Sequence, residues 1–276
     1  MNSINTFFSE LGSFLWGWPM MILLLGTHLF LTIRLKFPQR KLFTAIKLSV
    51  KKDDTSKGDV SQFGALATAL AATIGTGNII GVATAVALGG PGAVLWCWLT
   101  GFLGISTKYA EGLLAIKYRI KTDDGRMIGG PMFALERGLG WKSMAITFAV
   151  FTSIAAFGIG NTVQANAIAT LTKETFGIDT WVTGLIVCVL TGAVVIGGIK
   201  SIARVCAMLV PFMAALYVLG CITILVLNID YVWPAIKLIF SSAFMPQAAG
   251  GGLAGSTIML AARYGIARGL FSNESG

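Results

Sequence analysis

Long apolar runs alternate along this 276-residue chain with short stretches that gather nearly all of its charge. Between Glu10 and Arg34 lie 23 uncharged residues, between Asp59 and Lys108 48, and between Lys142 and Lys173 30. Asp179 to Lys200 encloses 20, and Arg204 to Asp230 and Lys237 to Arg263 enclose 25 each. A charge at the centre of a bilayer costs at least ~2.5–3.5 kcal/mol, so such runs mark where a chain can span. One spanning helix needs about 20 residues, which makes the 48-residue run two spans. Gly89-Gly90-Pro91-Gly92 supplies the turn between them. The pattern predicts seven spans: about 18–35, 63–89, 93–117, 146–171, 181–198, 205–228 and about 250–272.

Composition agrees. Apolar residues make up 55% and charged residues only 12%, about half of what a soluble domain carries, and mean hydropathy is +0.78. Disordered, collagen-like and coiled-coil chains are excluded, as is a soluble enzyme. The net charge of +9 is a topology signal and not a nucleic-acid footprint, because the 21 basic residues sit in a few loop clusters. Eight follow the first span and none sits in the next turn. Then six, one, two and one follow in order. The alternation predicts an extracytoplasmic N-terminus and cytoplasmic loops after the first, third and fifth spans.

Residues 1–17 hold no Lys or Arg, so they are not a signal peptide, which needs a basic leading region. Phe7, Phe8, Phe14, Trp16 and Trp18 suit a short interfacial helix. Cys97, Cys188, Cys206 and Cys221 lie in apolar stretches without C-x-x-C spacing and read as small buried residues.

The second span carries the candidate chemistry. Thr73-Ile74-Gly75-Thr76-Gly77-Asn78 concentrates poor helix formers inside an otherwise good helix, and Asn78 is a natural N-cap. A break there leaves two half-helices meeting near the midplane. Carbonyls of Ala71 to Ile74 (Ala72, Thr73 and Ile74 above all) would face a cation. Amides of Gly77, Asn78 and Ile79, with the Thr76 hydroxyl, would face a carboxylate. Gly75 and Gly77 leave room for backbone to approach a ligand. The competing reading is close helix packing, since Gly77 and Gly81 form G-x-x-x-G. A dinucleotide fingerprint is excluded, because no acid follows about 20 residues on and no βαβ unit surrounds the glycines.

In the fourth span, Asn161 and Gln164 are three apart and therefore share a helix face. They are either glue between helices, worth roughly 0.6–2 kcal/mol, or lining of the same cavity as the break. Of twelve acids only Glu111 lies well inside a span, with Lys108 three residues earlier, which reads as an interfacial ion pair. The single histidine, His28, sits among leucines and reads as packed or snorkelled. Proton relays place a carboxylate or His deep in the membrane, so a sodium site of carbonyls and hydroxyls fits better. No catalytic set or metal cluster is present in the sequence, and the chain is not expected to be an enzyme.

The run Ala71-Ala72-Thr73-Ile74-Gly75-Thr76-Gly77-Asn78-Ile79-Ile80-Gly81-Val82-Ala83, followed by Gly89-Gly90-Pro91-Gly92, resembles the alanine or glycine:cation symporter family. So do Lys117-Tyr118-Arg119, Gly129-Gly130-Pro131-Met132, Phe157-Gly158-Ile159-Gly160-Asn161, Gly197-Gly198-Ile199-Lys200 and Ala267-Arg268-Gly269-Leu270-Phe271-Ser272-Asn273-Glu274. The blocks keep the family's order and spacing over essentially the whole chain. Leu95-Trp96-Cys97-Trp98 departs from the family's Phe-Trp-Met-Trp, away from the presumed site.

The resemblance implies an all-α integral membrane protein of leucine-transporter-like inverted-repeat fold. Residues 1–17 would be the interfacial segment, 18–60 an extra transmembrane helix with a basic cytoplasmic loop, 61–229 the first five-helix repeat, and 230–276 the incomplete start of the second. Five spans in the first repeat is an odd number, so a second repeat would be inverted. The implied function is sodium-coupled symport of alanine or glycine across the cell membrane, with sodium as coupling ion and no other cofactor. Partners would be those solutes and the bilayer, not nucleic acid. Gly75, Thr76, Gly77, Asn78, Asn161 and Gln164 would bind substrate, and Ala72, Thr73 and Ile74 the cation. The family continues past residue 276, so a non-transporting truncated fragment is the alternative expectation. A channel is disfavoured, since no filter-like repeat or ring of charge is visible.

Orientation can be tested by thiol labelling of single cysteines at Ser56 and Thr175 in a background without the native cysteines. Position 56 is expected to label from the cytoplasmic side and position 175 from outside. Cytoplasmic labelling of position 175 would reverse the assignment.

Overall fold

A computed structural model describes residues 2–15, 17–51, 59–244 and 258–271. The expectations for Trp16, Ser56, 250–257 and Ser272 to Glu274 lie outside those residues. The chain is almost entirely helical: α1 (Asn2–Leu15), α2 (Trp18–Arg34), a 3-10 turn (Pro38–Lys41), α3 (Leu42–Val50), α4 (Gln62–Thr73), α5 (Thr76–Gly89) and α6 (Ala93–Lys117). A short hairpin follows, β1 (Ile120–Lys121) with β2 (Met127–Ile128), then α7 (Pro131–Leu139) and α8 (Lys142–Ala155). A π-helical segment (Ala156–Thr162) leads into α9 (Val163–Phe176), followed by α10 (Thr180–Val195), α11 (Gly198–Leu227), α12 (Ile229–Ala243) and α13 (Ile258–Phe271).

Among the described residues three helical stretches are long and apolar enough to cross a bilayer: Gln62–Gly89 with 28 residues, Lys142–Phe176 with 35 and Gly198–Leu227 with 30. Pro19–Arg34 and Pro38–Val50 together pass the same test as a pair bent by 61°. The bend is where Lys36 and Phe37 adopt φ of 57° and 58°, a left-handed conformation that ends a right-handed helix. The chain is thus a helical membrane protein. Its packing is the reverse of a soluble core. The buried apolar positions are mostly alanines, among them Ala67, Ala85, Ala93, Ala203 and Ala243, while Phe157, Ile196 and Phe212 point outward.

Two expectations need correction, and the loop after the third span gains detail. Within that loop β1 and β2 pair antiparallel, Ile120 opposite Ile128 and Lys121 opposite Met127. Gly125 turns the hairpin at φ 80°, which favours glycine. Much of the stretch between the sixth and seventh expected spans is helix α12, started by Asp230 in its first turn, where a carboxylate meets the positive helix end. Cys188 is exposed and the other three cysteines are only partly buried, because lipid-facing positions accept a thiol as readily as a core does.

By internal contacts the chain divides into two units, residues 1–43, 72–109 and 213–276 forming the first, and 44–71 and 110–212 the second. In the first unit α13 packs along α5 and also touches α2 and α12. Met21, Ala262 and Ile266 form its buried cluster, with Leu25 and Trp96 against it. Small residues permit the approach. Gly265 of α13 sits on the Ala93 carbonyl and the Trp96 Cβ, and Gly92 sits on the backbone of Ala243 at the end of α12. Trp96 donates its indole N–H to the Ala243 carbonyl at 3.4 Å. In the second unit α7 packs on α8 and α9 on α10. The Asp59 carboxylate accepts the Met127 amide at 3.0 Å, tying the chain just before α4 to β2.

A Cβ at Gly92 would lie 2.6 Å from both Cα and N of Ala243, backbone that cannot step aside. Gly92→Ala is therefore expected to cost about 1–3 kcal/mol by overpacking. Gly101→Ala, where a Cβ meets nothing within 4 Å, is expected to be neutral or stabilising. Unfolding in detergent followed by tryptophan fluorescence checks the pair. Equal effects of the two would show that the α12 contact is not formed.

Candidate functional site

The second span is broken where its weakest helix formers lie. α4 ends at Thr73, α5 begins at Thr76, and Gly75 between them is extended, with φ −136° and ψ −174°. Two details differ from the sequence reading. The N-cap position is Gly75, not Asn78. Asn78 lies in the first turn of α5 and its side-chain amide reaches back to donate to the Thr73 carbonyl. The same carbonyl accepts the Gly75 amide at 2.9 Å. Asn78 thus closes the end of the preceding half-helix, since a side chain three positions into a helix overlies the chain entering it.

The second difference concerns the amides. Those of Asn78 and Ile79 both donate to the Gly75 carbonyl, at 3.1 and 3.3 Å. They are occupied, because Gly75 turns its carbonyl under the first turn as an N-cap residue does. The Gly77 amide has no backbone partner among the described residues, so of the expected trio it is the one not taken up by a backbone carbonyl. On the cation side the Thr73 carbonyl already has two donors, while the carbonyls of Ala72 and Ile74 are the neighbouring acceptors at the break.

The fourth span departs from a regular α-helix at the second polar motif. Ala156–Thr162 winds as a π-helix, with Gly158 and Gly160 supplying low helix propensity. The Asn161 amide donates to the Ala156 carbonyl five residues back at 3.4 Å, and the Thr162 hydroxyl to the Gly158 carbonyl at 2.5 Å. Wide turns of this kind occur often at functional sites, because they leave carbonyls off the regular ladder. Asn161 is exposed and Gln164, in the first turn of α9, is half-buried and has a partner. Gly75, Thr76, Gly77 and Asn78 stand together with Ala72, Thr73 and Ile74 at one break in the first unit. Asn161 and Gln164 belong to the second.

One polar cluster was not singled out from sequence. His28 is 2% exposed and its Nδ1 lies 2.6 Å from the Thr107 hydroxyl of α6. One turn on, the Thr32 hydroxyl donates to the His28 carbonyl at 2.7 Å and stands 2.9 Å from the Ser106 hydroxyl. Gln39, after α2, donates to the Phe102 carbonyl at 3.0 Å and to Ser106 at 2.9 Å. These bonds hold α2 to α6 by polar contacts that lipid cannot replace. The signal in the sequence is the i, i+4 spacing of His28 and Thr32 inside an apolar run. His28 is packed, as one of its two sequence readings had it.

A helical membrane chain with a span broken at mid-length and a second polar, π-wound span has the build of a solute carrier and not of an enzyme. The model of the Sodium:alanine symporter family matches residues 1–276, and the chain belongs to that family of transporters. It is 53% identical over 275 residues to the sodium/alanine symporter AgcS of Methanococcus maripaludis, covering 97% of this chain and 60% of that protein. It is 54% identical over 276 residues to an uncharacterized transporter of Haemophilus influenzae, covering 99% of this chain and 60% of that one. A probable sodium/glutamine symporter of Bacillus subtilis, GlnT, is 34% identical over 264 residues, with 95% and 54% covered. The chain spans about 60% of the length of the first two relatives.

Asn78→Asp replaces the donor to the Thr73 carbonyl by an acceptor. It is expected to destabilise the protein by about 1–3 kcal/mol, because a carboxylate oxygen would then face the Thr73 carbonyl, acceptor against acceptor, where one of its two donors stood. Asn78→Gln, which keeps an amide of greater reach, is expected to lose less. Detergent unfolding of the three proteins checks the order. An Asn78→Asp protein as stable as wild type would remove Asn78 from its bracing role.

Proposed function

We propose that the protein is part or all of a sodium-coupled symporter of small neutral amino acids, alanine or glycine, in the cell membrane, with its N-terminus outside. The observation that carries the reading is the break at Ile74–Gly75. A zwitterionic solute needs donors for its carboxylate and acceptors for its ammonium, both without water. The start of α5 offers the Gly77 amide and the positive end of a helix, worth up to ~2 kcal/mol for a partly buried anion. The Asn161 and Gln164 amide oxygens are the acceptors we assign to the ammonium. Carbonyls of Ala72, Thr73 and Ile74 are assigned to sodium, which binds such oxygens without a carboxylate.

Membership of the Sodium:alanine symporter family supports the coupling ion and the substrate class. The absence of any carboxylate in the described break or π segment supports sodium over a proton relay. We place the break in the first helix of a leucine-transporter-like repeat over 61–229, with α2 outside it and α13 beginning the second repeat.

Sodium-driven alanine uptake into vesicles holding the full-length protein tests the reading. Gly77→Val, which puts a branched side chain where backbone meets ligand, and Gln164→Ala are each expected to abolish or severely weaken alanine uptake while leaving the protein folded. Uptake that is indifferent to sodium would overturn the coupling, and unchanged uptake in both variants would overturn the site. The same assay on vesicles holding only these 276 residues separates a self-sufficient carrier from a non-transporting membrane fragment.

A further inference from the structure

The second unit holds a cavity of about 360 Å³ lined by residues at the start of α4 and α11, none of them a residue of the break. Its floor is small, formed by Gly64 of α4 with Ala203 and Ala207 of α11. Its rim carries Lys200 and Arg204 on one side and Ser61 and Asp59 on the other. The two cations are one turn apart on the same helix, where like charges repel. They also occupy the first two turns of α11, where the helix dipole is positive and its first turn holds no acid to offset them. Neither pairs with a carboxylate among the described residues. Asp59, the acid on the rim, is turned to the Met127 amide at 3.0 Å. Ser61 caps α4, its hydroxyl accepting the Gly64 amide at 3.1 Å. Two exposed cations at the wrong end of a helix, over a cavity with a floor of small side chains, are an arrangement that an anion in the cavity would relieve.

We propose that this cavity binds a phosphate group, with the Arg204 guanidinium and the Lys200 ammonium as its ligands. Arginine grips phosphate oxygens through two parallel N–H bonds and lysine adds a point charge, so the pair matches a phosphodiester or free phosphate better than a carboxylate. On the orientation read from the loop charges, the cavity opens at the cytoplasmic surface, where anionic lipid headgroups are concentrated. The site is separate from the proposed transport site and does not depend on it.

The test measures the unfolding temperature of the purified 276-residue chain in neutral detergent against rising dioctanoyl phosphatidylglycerol, dioctanoyl phosphatidylcholine or inorganic phosphate. A saturable rise with phosphatidylglycerol and none with phosphatidylcholine is expected. A saturable rise with inorganic phosphate of equal strength would assign the site to the free anion, with the same ligands. Lys200→Gln/Arg204→Gln is expected to weaken binding about tenfold or more, since each removes a charge-assisted contact. Ala207→Leu, which fills the floor and keeps both charges, is expected to do the same. Lys142→Gln/Lys173→Gln, an equal loss of charge elsewhere, is expected to bind as wild type. The proposal is overturned if neither phosphatidylglycerol nor inorganic phosphate produces a saturable rise, if phosphatidylcholine produces one of equal strength, if the Lys200/Arg204 and Ala207 variants bind as wild type, or if the Lys142/Lys173 control loses as much as they do. Should the double variant fail to fold, Arg204→Gln alone and Ala207→Leu carry the decision.

Discussion

Hydrocarbon offers no partner to a bare peptide group, and that constraint governs how this chain can interrupt its own helices. An unmatched amide or carbonyl in lipid costs several kcal/mol. At Ile74–Gly75 the chain meets the requirement with its own atoms. The Thr73 carbonyl takes the Gly75 amide and the Asn78 side chain, and the Gly75 carbonyl takes the amides of Asn78 and Ile79. What remains open is small and local, the Gly77 amide on one side and the carbonyls beside Thr73 on the other. A ligand at the proposed site would meet fixed dipoles, not a loose loop, and fixed dipoles need no rearrangement when charge arrives.

The same constraint explains how the first unit is joined. Apolar side chains gain little by leaving lipid for one another, so helices are held by close backbone approach and by polar bonds. Both devices occur. Gly92 and Gly265 let α12 and α13 touch backbone around the α5–α6 turn. His28, Thr32 and Gln39 bond to Ser106 and Thr107 between α2 and α6. The Met21–Ile266 cluster is modest, and large side chains such as Ile22, Leu23 and Phe30 of α2 are left for the bilayer.

How much of this was legible in the sequence follows from which interactions are local. The break at Thr73 to Thr76 and the ends of α6 at Ala93 and Lys117 were legible because propensity, a Gly-Pro turn and charge act within a few residues. The partner of Asn78 was not. Its preference for caps pointed to the helix ahead of it, while the side chain serves the half-helix behind, a choice made only once both halves have a direction. Helix α12 leaves no span-like trace in the sequence, because Lys237 and Asp230 interrupt the apolar pattern that marks spans. The clasp around His28 depends on a residue 79 positions away and leaves only the spacing of His28 and Thr32 as a local trace.

The π segment and the broken helix answer one problem in two ways. Both place glycines beside short amide or hydroxyl side chains, Gly75 and Gly77 with Asn78, and Gly158 with Asn161 and Thr162. Glycine lowers the cost of leaving the α-helical ladder, and the short side chain then bonds a carbonyl that the ladder has released. At the break the released carbonyl belongs to Thr73, five residues before Asn78. In the π segment the Asn161 side chain bonds the Ala156 carbonyl, also five residues back, which the i→i+5 winding already offers to its backbone amide. An asparagine placed after glycine in a span is therefore a local means of loosening a helix without exposing its backbone, and this chain uses it twice.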